Sequence, residues 1–295
     1  MLGDLNDIMR KIWEYILLYI FPQPRTPLIL TASPITIFEA LPSTTPSPPL
    51  PPITTITNSD IYDTYRFQGT PSRFRILVIG RADCGKTTLL QRVCNTTEDP
   101  CIYDDKSKDL LEPTLARGVH DINRPFAFKS NPRLIFHDSP DIEAGDEMQL
   151  QEVLSFLEER TKATDVNDQV HAIWFCIVLN NCRPLFPKEL EFFRQKRAGN
   201  VPTIVIFTGF DDLITQIYDI DLTEHENRRI AELHVEEHFR RPLQACISPP
   251  CADVCFDDKD GFHQDQVNIL IEKTTSSLDD IALKSLLISA QNSDS

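Results

Sequence analysis

The feature that most constrains this chain is a glycine-rich loop between a strand pattern and a helix pattern. An apolar run over residues 74–79 ends at Gly80, and the sequence reads G-x-x-x-x-G-K-T over 80–87 before an amphipathic stretch begins. Glycines at both ends let the backbone curl so that successive N–H groups converge on one point. Such a cradle binds nucleotide phosphates. A ligand-free turn at a helix start is the alternative, and the preceding strand argues against it.

Each position of this loop has an expected role. Lys86 is predicted to reach the β- and γ-phosphates and to supply the catalytic positive charge. The hydroxyl of Thr87 is predicted to bind Mg²⁺. The other predicted nucleotide contacts in this stretch are Gly80, Asp83, Cys84, Gly85 and Thr88.

Charge and cysteine usage limit the partners and the compartment. The net charge is −15 and the pI is about 4.9, which disfavours broad contact with nucleic acid or anionic lipid, because both are polyanions. Eight cysteines are scattered through apparent strands and helices, as expected for reduced thiols in a cytoplasmic protein. Zinc binding by Cys246, Cys251 and Cys255 with nearby histidines is an alternative, but the spacing is not that of a zinc finger or ribbon.

The first 66 residues divide into two predicted segments. Residues 1–21 are predicted to form an amphipathic helix that docks on the domain, on a partner or on a membrane surface. A signal peptide is the alternative, and acidic residues in the apolar stretch argue against it. Residues 22–66 are rich in Pro, Ser and Thr, which predicts a disordered linker or, as an alternative, a ligand for aromatic grooves.

The body of the chain, residues 67–278, alternates strand and helix patterns. This predicts an α/β fold with a mostly parallel six-stranded sheet and helices on both faces, as in P-loop NTPases. Residues 279–295 are predicted to form a last helix and tail. The predicted strands are 74–79, 119–128, 133–137, 170–179, 204–207 and 252–256, and the predicted helices are 86–94, 147–161, 187–196, 222–240, 267–278 and 279–289.

Two acidic residues follow predicted strands at the edge where open α/β sheets bind ligands. Asp138 follows the strand 133–137 and is predicted to hold Mg²⁺, the alternative being a turn cap. Thr208 and Asp211 follow the strand 204–207, at the position where GTPases carry [N/T]-K-x-D, with Gly209 in place of the lysine. An aspartate there accepts hydrogen bonds from N1–H and the 2-amino group, a donor pair that adenine lacks. The sequence therefore predicts GTP or GDP as the ligand, with an ATPase as the alternative.

Beyond these motifs, the chain resembles the fungal G-domain-containing proteins over residues 65–291. Their G domain is similar to Era-like GTPases and to the GTPases of immunity-associated proteins. The phrases that carry the resemblance are RFRILVIGRA at 73–82, QRVCNTTE at 91–98, RGVHDI at 117–122, FHDS at 136–139, EAG at 143–145, HAIWFC at 171–176 and LDDIALK at 278–284. The resemblance implies a GTP-binding fold with a mobile loop at 95–118.

The resemblance also implies further site residues. Thr114 stands where the switch threonine of such GTPases reaches Mg²⁺ and the γ-phosphate. Asp83 stands where an asparagine helps to hold a monovalent cation. Phe256 and Asp257 stand in the last base-contacting loop, with a plain turn as the alternative. Asp141 takes the place of the glycine in D-x-x-G, beside the γ-phosphate.

Three departures from the family pattern bear on hydrolysis. Asp141 adds a negative charge beside the γ-phosphate, and Gly209 replaces the lysine that braces the base. No glutamine follows the strand-end motif to orient water, since Ile142 and Glu143 stand there. The sequence thus leaves open a slow GTPase switch, helped by an unknown protein effector or activating partner that supplies an arginine, and a non-hydrolysing nucleotide-binding module.

Overall fold

The computed structural model describes residues 71–105, 109–111, 121–140, 147–180, 185–196, 199–257 and 263–291. The predictions for the segments 1–21 and 22–66 lie outside these residues, as do Thr114 and Asp141. Over the described ranges, none of the helices combines the length and apolarity needed to cross a membrane.

A single mixed sheet organises the described residues. The strands are β1 Phe74–Gly80, β2 Cys101–Asp104, β3 Asp109–Leu111, β4 Phe126–Phe128, β5 Asn131–Asp138, β6 Ala172–Val178, β7 Thr203–Thr208 and β8 Ala252–Cys255. Their order in the sheet is β3-β2-β4-β5-β1-β6-β7-β8, with β5, β1, β6, β7 and β8 pairing in parallel and the other three strands antiparallel. Continuous apolar runs such as FRILVIG suit parallel strands that are buried on both faces.

Helices cover both faces of this sheet. The α-helices are α1 Lys86–Val93, α2 Glu147–Thr161, α3 Pro187–Arg194, α4 Phe210–Gln216, α5 Glu224–Val235, α6 Arg241–Gln244, α7 His263–Ser277 and α8 Ile281–Gln291. Leu89 of α1 packs on one face together with α7 and α8, while Val153 of α2 packs on the other with α3, α4 and α5. The prediction of an α/β fold with a mostly parallel sheet and helices on both faces is confirmed.

The predicted strand count was wrong. The described residues contain eight strands, because β2 and β3 form within the stretch 95–118 that was expected to be a mobile loop. The predicted strand 119–128 is reduced to β4, since 121–125 form a turn in which the Asp121 carboxylate accepts a hydrogen bond from Asn123 N at 2.9 Å. Short, half-polar strands such as CIYD carry too weak a period to be recognised.

The helix predicted over 222–240 is not one continuous α-helix. The expected helix 222–240 begins two residues later, at α5, because Thr223 caps it and exchanges hydrogen bonds with Glu226. Its last part, Glu236–Arg240, is a π-helical turn leading into α6. The short helix α4 was not expected, because seven residues are too few to show a helical period.

A buried polar cluster joins β1, β5 and the residue before β6. The Arg75 guanidinium donates to His137 Nε2 at 3.2 Å, and His137 Nδ1 donates to Ile122 O at 2.8 Å. His171 Nδ1 accepts from Arg75 N at 2.9 Å. Burial lowers the pKa of His137 to about 3 and that of His171 to about 4. Both imidazoles are therefore neutral in the folded protein near pH 5.

These two histidines predict a loss of stability in acid. The unfolded chain binds protons below the ordinary pKa of 6.5, whereas the folded chain does not until about pH 3 to 4. Unfolding should thus become easier as the pH falls from 7 to 5, by up to about 1.4 kcal/mol per pH unit for each histidine. Urea midpoints measured at several pH values test this. The control variant His225→Gln, which changes an exposed histidine, should show the same fall in urea midpoint between pH 7 and 5. A wild-type midpoint that does not change over this range would contradict the burial of His137 and His171 as neutral imidazoles.

Candidate functional site

The glycine-rich loop leaves the carboxyl end of β1 and enters α1. Since parallel strands end at one edge, the ends of β5, β6 and β7 lie along the same edge as this loop. The register pairs Val78 with Asp138 and Gly80 with Cys176. The strand-end residues that the sequence singled out are thus gathered around the loop.

The loop backbone is tightly curled. Gly85 has a φ of 80° and precedes α1, and Asp83 also lies in the left-handed region with a φ of 57°. A Cβ built on Gly80 would lie 2.6 Å from Cys84 Sγ and 2.9 Å from Cys176 O, so only glycine fits there. The first glycine of the motif is therefore needed for close packing, and the second for backbone conformation.

The ammonium of Lys86 lies inside this curl. Its Nζ donates to Gly80 O at 3.0 Å and to Arg81 O at 2.9 Å, and the residue is 8% exposed. A buried ammonium requires acceptors, and here the loop's own carbonyl groups supply two of them. The lysine is thus held at the centre of the loop, next to the N-terminus of α1.

Two buried thiols pack under the loop. Cys84 and Cys176 form a side-chain hydrogen bond, which lowers the pKa of Cys84 and, with burial, raises the pKa of Cys176. Cys84 is therefore the more acidic of the two thiols. This contact fastens the fifth residue of the loop to the middle of the sheet.

A second brace comes from the end of β7. Thr208 Oγ1 donates to Cys84 O at 3.1 Å, which joins the TGFD segment to the loop. Gly209 follows with a φ of 72° and stands as the N-cap of α4. A Cβ on Gly209 would meet no atom closer than 3.6 Å, so a side chain there has space but an unfavourable backbone conformation.

A cavity of about 180 Å³ lies between these two segments. Its wall combines loop atoms, the first turns of α1 and the residues after β7 and β8. The lining residues are Asp83, Cys84, Gly85, Thr88, Leu89, Arg92, Val178, Thr208, Gly209, Asp212 and Phe256. Six predicted contacts, Asp83, Cys84, Gly85, Thr88, Thr208 and Phe256, are thus brought to one cavity.

Other predicted residues lie elsewhere. Asp211 is half-buried in the first turn of α4, and of these two adjacent acidic residues it is Asp212 that lines the cavity. Asp257 is 7% exposed, and its carboxylate accepts hydrogen bonds from Gln266 and, at 3.5 Å, from Arg228. Asp257 is not one of the described residues that line the cavity.

The two predicted metal ligands that are described lie on α1, which follows β1, and on β5, which pairs with β1. Thr87 is exposed in the first turn of α1, and Asp138 is half-buried at the end of β5. Within the described ranges, no three histidine, cysteine or acidic side chains cluster in a way that would hold a metal ion.

Sequence reasoning missed two polar residues of the cavity wall. Asp212 directly follows Asp211, so the motif alone did not distinguish which of the two carboxylates faces the cavity. Arg92 follows Thr88 by four residues in α1, and this helical spacing was the available signal that both share one face.

No family model matches this chain, and no curated protein matches it. Among solved structures, translation elongation factor SelB from Methanococcus maripaludis is similar. Its complex with the GTP analogue GppNHp has 15% identity and a TM-score of 0.37, covering 72% of this chain and 35% of that chain. Its apo form has 13% identity and a TM-score of 0.35, covering 69% and 34%.

The chain thus spans about a third of the length of these elongation factors. Both TM-scores are low, so the functional proposal rests on the geometry of the loop itself. The resemblance to the fungal G-domain-containing proteins stays a prediction.

The packing under the loop makes a prediction for Gly80→Ala. The added methyl group collides with Cys84 Sγ and Cys176 O, so the variant should lose about 1 to 3 kcal/mol in the free energy of unfolding. Urea denaturation measures this loss. The Cys84→Ala background removes the collision with Cys84 Sγ. In that background Gly80→Ala should therefore lower the free energy of unfolding by less than it does in the wild-type protein. Wild-type stability of Gly80→Ala would contradict the packing.

Proposed function

We propose that this chain binds a guanine nucleotide, GTP or GDP, with Mg²⁺, and that it is a slow GTPase acting as a nucleotide-dependent switch. One observation carries the proposal: a curled loop at the carboxyl edge of the sheet encloses the Lys86 ammonium and opens onto a cavity of about 180 Å³. A buried ammonium at the start of a helix is suited to a polyphosphate more than to any neutral ligand.

The phosphates are assigned to the loop and the start of α1. Backbone N–H groups of residues 83–88 and the positive end of the α1 dipole attract the β-phosphate. The Lys86 ammonium, now held by two carbonyl groups, exchanges these acceptors for phosphate oxygens, which carry negative charge and accept stronger hydrogen bonds.

The base is assigned to the cavity between the loop and α4. Thr208, braced against Cys84 O, fixes the position of the TGFD segment relative to the loop. A carboxylate of this segment, Asp211 or Asp212, accepts hydrogen bonds from guanine N1–H and the 2-amino group. Adenine leaves such a carboxylate without these donors, which supports guanine as the base.

The oxygen donors near the loop suit Mg²⁺. The Thr87 hydroxyl and the Asp138 carboxylate are hard ligands on adjoining elements, and Thr114 is a third candidate from outside the described residues. When bound, Mg²⁺ neutralises charge that builds up on the β- and γ-phosphates. Thr87 and Asp138 are the described residues that would hold it.

We expect slow hydrolysis of GTP because the sequence lacks side chains that GTPases carry at two positions of the site. Gly209 supplies no lysine, and Ile142 and Glu143 stand where a glutamine would orient water. We infer that an activating partner supplies an arginine, that the protein acts in the cytoplasm and that it does not bind nucleic acid. A non-hydrolysing interaction module is the second candidate, favoured by Ile142 and Glu143 in place of the water-orienting glutamine.

Titration of GTP in the presence of Mg²⁺ tests nucleotide binding. The wild-type chain should bind, and Lys86→Ala should bind about 10- to 150-fold more weakly, since it loses one or two charge-assisted hydrogen bonds. Lys162→Ala is the matched control, because Lys162 is exposed and paired with Glu158 on α2. No heat with either GTP or ATP at millimolar concentration would contradict the proposal.

Alanine substitution of Asp211 or Asp212 tests whether this segment selects guanine over adenine. Alanine at the base-reading position should weaken GTP binding about 10-fold or more and leave ATP binding unchanged. Asp211→Ala and Asp212→Ala are each compared with wild type, and each serves as the control for the other. Equal loss for both nucleotides, or no loss in either variant, would contradict guanine recognition by this segment.

Single-turnover hydrolysis of γ-labelled GTP separates the switch from the non-hydrolysing module. Phosphate release above that of Lys86→Ala supports the slow GTPase. Equal release in the two proteins, with intact GTP binding by the wild type, supports the interaction module.

A further inference from the structure

A buried ion pair joins the glycine-rich loop to helix α3. Arg81, the second residue of the loop, donates from Nε to Glu189 Oε1 at 2.6 Å and from Nη2 to Oε2 at 2.6 Å. The Glu189 side chain is 1% exposed and that of Arg81 is 11% exposed. This parallel two-bond arrangement fixes both the direction and the rotation of the guanidinium plane.

The surroundings of the pair hold it still further. The Arg81 guanidinium lies 3.6 Å from the centre of the Phe186 ring. Glu189 Oε2 also accepts a hydrogen bond from Phe186 N at 2.8 Å, in the first turn of α3. The carboxylate is therefore fixed by its own helix before it binds the arginine.

The same arginine carries one of the carbonyl groups that hold the lysine. Arg81 O accepts from Lys86 Nζ at 2.9 Å and from Cys84 N at 3.4 Å. The side chain of Arg81 is thus tied to α3, while its peptide group is tied to the centre of the loop. A rotation of this residue would change the position of the lysine.

We propose that Glu189 is a positioning residue for the nucleotide site. Acting through the Arg81 guanidinium, it sets the first turn of the loop, so that the loop amides and Lys86 are in place before a polyphosphate binds. Glu189 also keeps the Arg81 guanidinium away from the phosphates, to which that group would be drawn if it were unpaired. This inference rests on the proposed function, and it assigns a role to α3 that no motif of the sequence indicated.

A purely structural role would have other consequences. Buried ion pairs contribute little net stability, and a pair of apolar side chains of similar volume often fastens two elements as well or better. Apolar side chains lack the two-bond geometry that orients the Arg81 peptide group. Replacing both partners together therefore separates attachment of α3 from positioning of the loop.

The double variant Arg81→Met/Glu189→Met makes this separation. It leaves no unpaired buried charge, so it should remain folded, with a cooperative thermal transition. Its affinity for GTP and GDP should fall at least about tenfold, because the loop must then be ordered by the ligand. Hydrogen exchange of the peptide that contains residues 80–88 should become faster in the absence of nucleotide. The control is Arg240→Met/Asp253→Met, which removes a partly exposed pair in which Arg240 Nε and Nη2 both contact Asp253 Oδ2, at 2.9 and 2.8 Å, on β8.

Single variants test whether Glu189 acts through Arg81. Glu189→Gln keeps the shape of the side chain and loses its charge, so it should weaken nucleotide binding in the wild-type background. In the Arg81→Met background the same change should have no further effect. An equal effect in both backgrounds would overturn the proposed route through the arginine.

The outcomes distinguish this inference from the proposed function. Wild-type protein that binds no triphosphate overturns the proposed function and this inference with it. Wild-type binding, together with unchanged affinity and unchanged loop exchange in the folded double variant, overturns the inference alone. A loss of affinity in the double variant but not in the Arg240/Asp253 control supports it.

Discussion

The site depends on one buried cation. The Lys86 ammonium lies within a loop whose carbonyl groups at Gly80 and Arg81 face inward to accept its hydrogen bonds. Without these acceptors a buried ammonium would be too costly to retain. The close contact of Gly80 with Cys84 and Cys176 and the left-handed backbone of Gly85 are the conditions that let the loop close around it.

Three separate elements hold this loop from outside. The Cys84–Cys176 contact fastens the loop to β6, and Thr208 fastens it to β7. The pair of Arg81 with Glu189 fastens it to α3. The loop is thus ordered by tertiary contacts as well as by its glycines. A polyphosphate that enters it meets donors already held in place, which lowers the entropic cost of binding.

The sequence predicted the centre of this architecture better than its edge. Runs such as FRILVIG and AIWFCIV are apolar at nearly every position, because strands β1 and β6 are buried on both faces, and they were recognised. Strands β2 and β3 lie at the antiparallel edge, where burial alternates or is lost, and they were missed. Tertiary pairing, not local preference, defines them.

The same limit applies to the site. The spacing G-x-x-x-x-G-K-T predicted the loop because its chemistry is local in sequence. The partners Glu189, Arg92 and Asp212 come from helices whose rotation and packing no single motif specifies. Glu189 is separated from Arg81 by 108 positions, and an acidic residue at the start of a helix is common for reasons of helix polarity alone.

The most direct test of the account is the response of the loop amides to GTP. Backbone amide resonances of ¹⁵N-labelled protein, recorded while GTP and Mg²⁺ are added, report on each N–H group of residues 80–88. The account predicts that the Gly85 and Lys86 amides shift in a saturable manner and that the resonances of the exposed face of α5 do not. Saturating nucleotide with no change at Gly85 and Lys86 would contradict it.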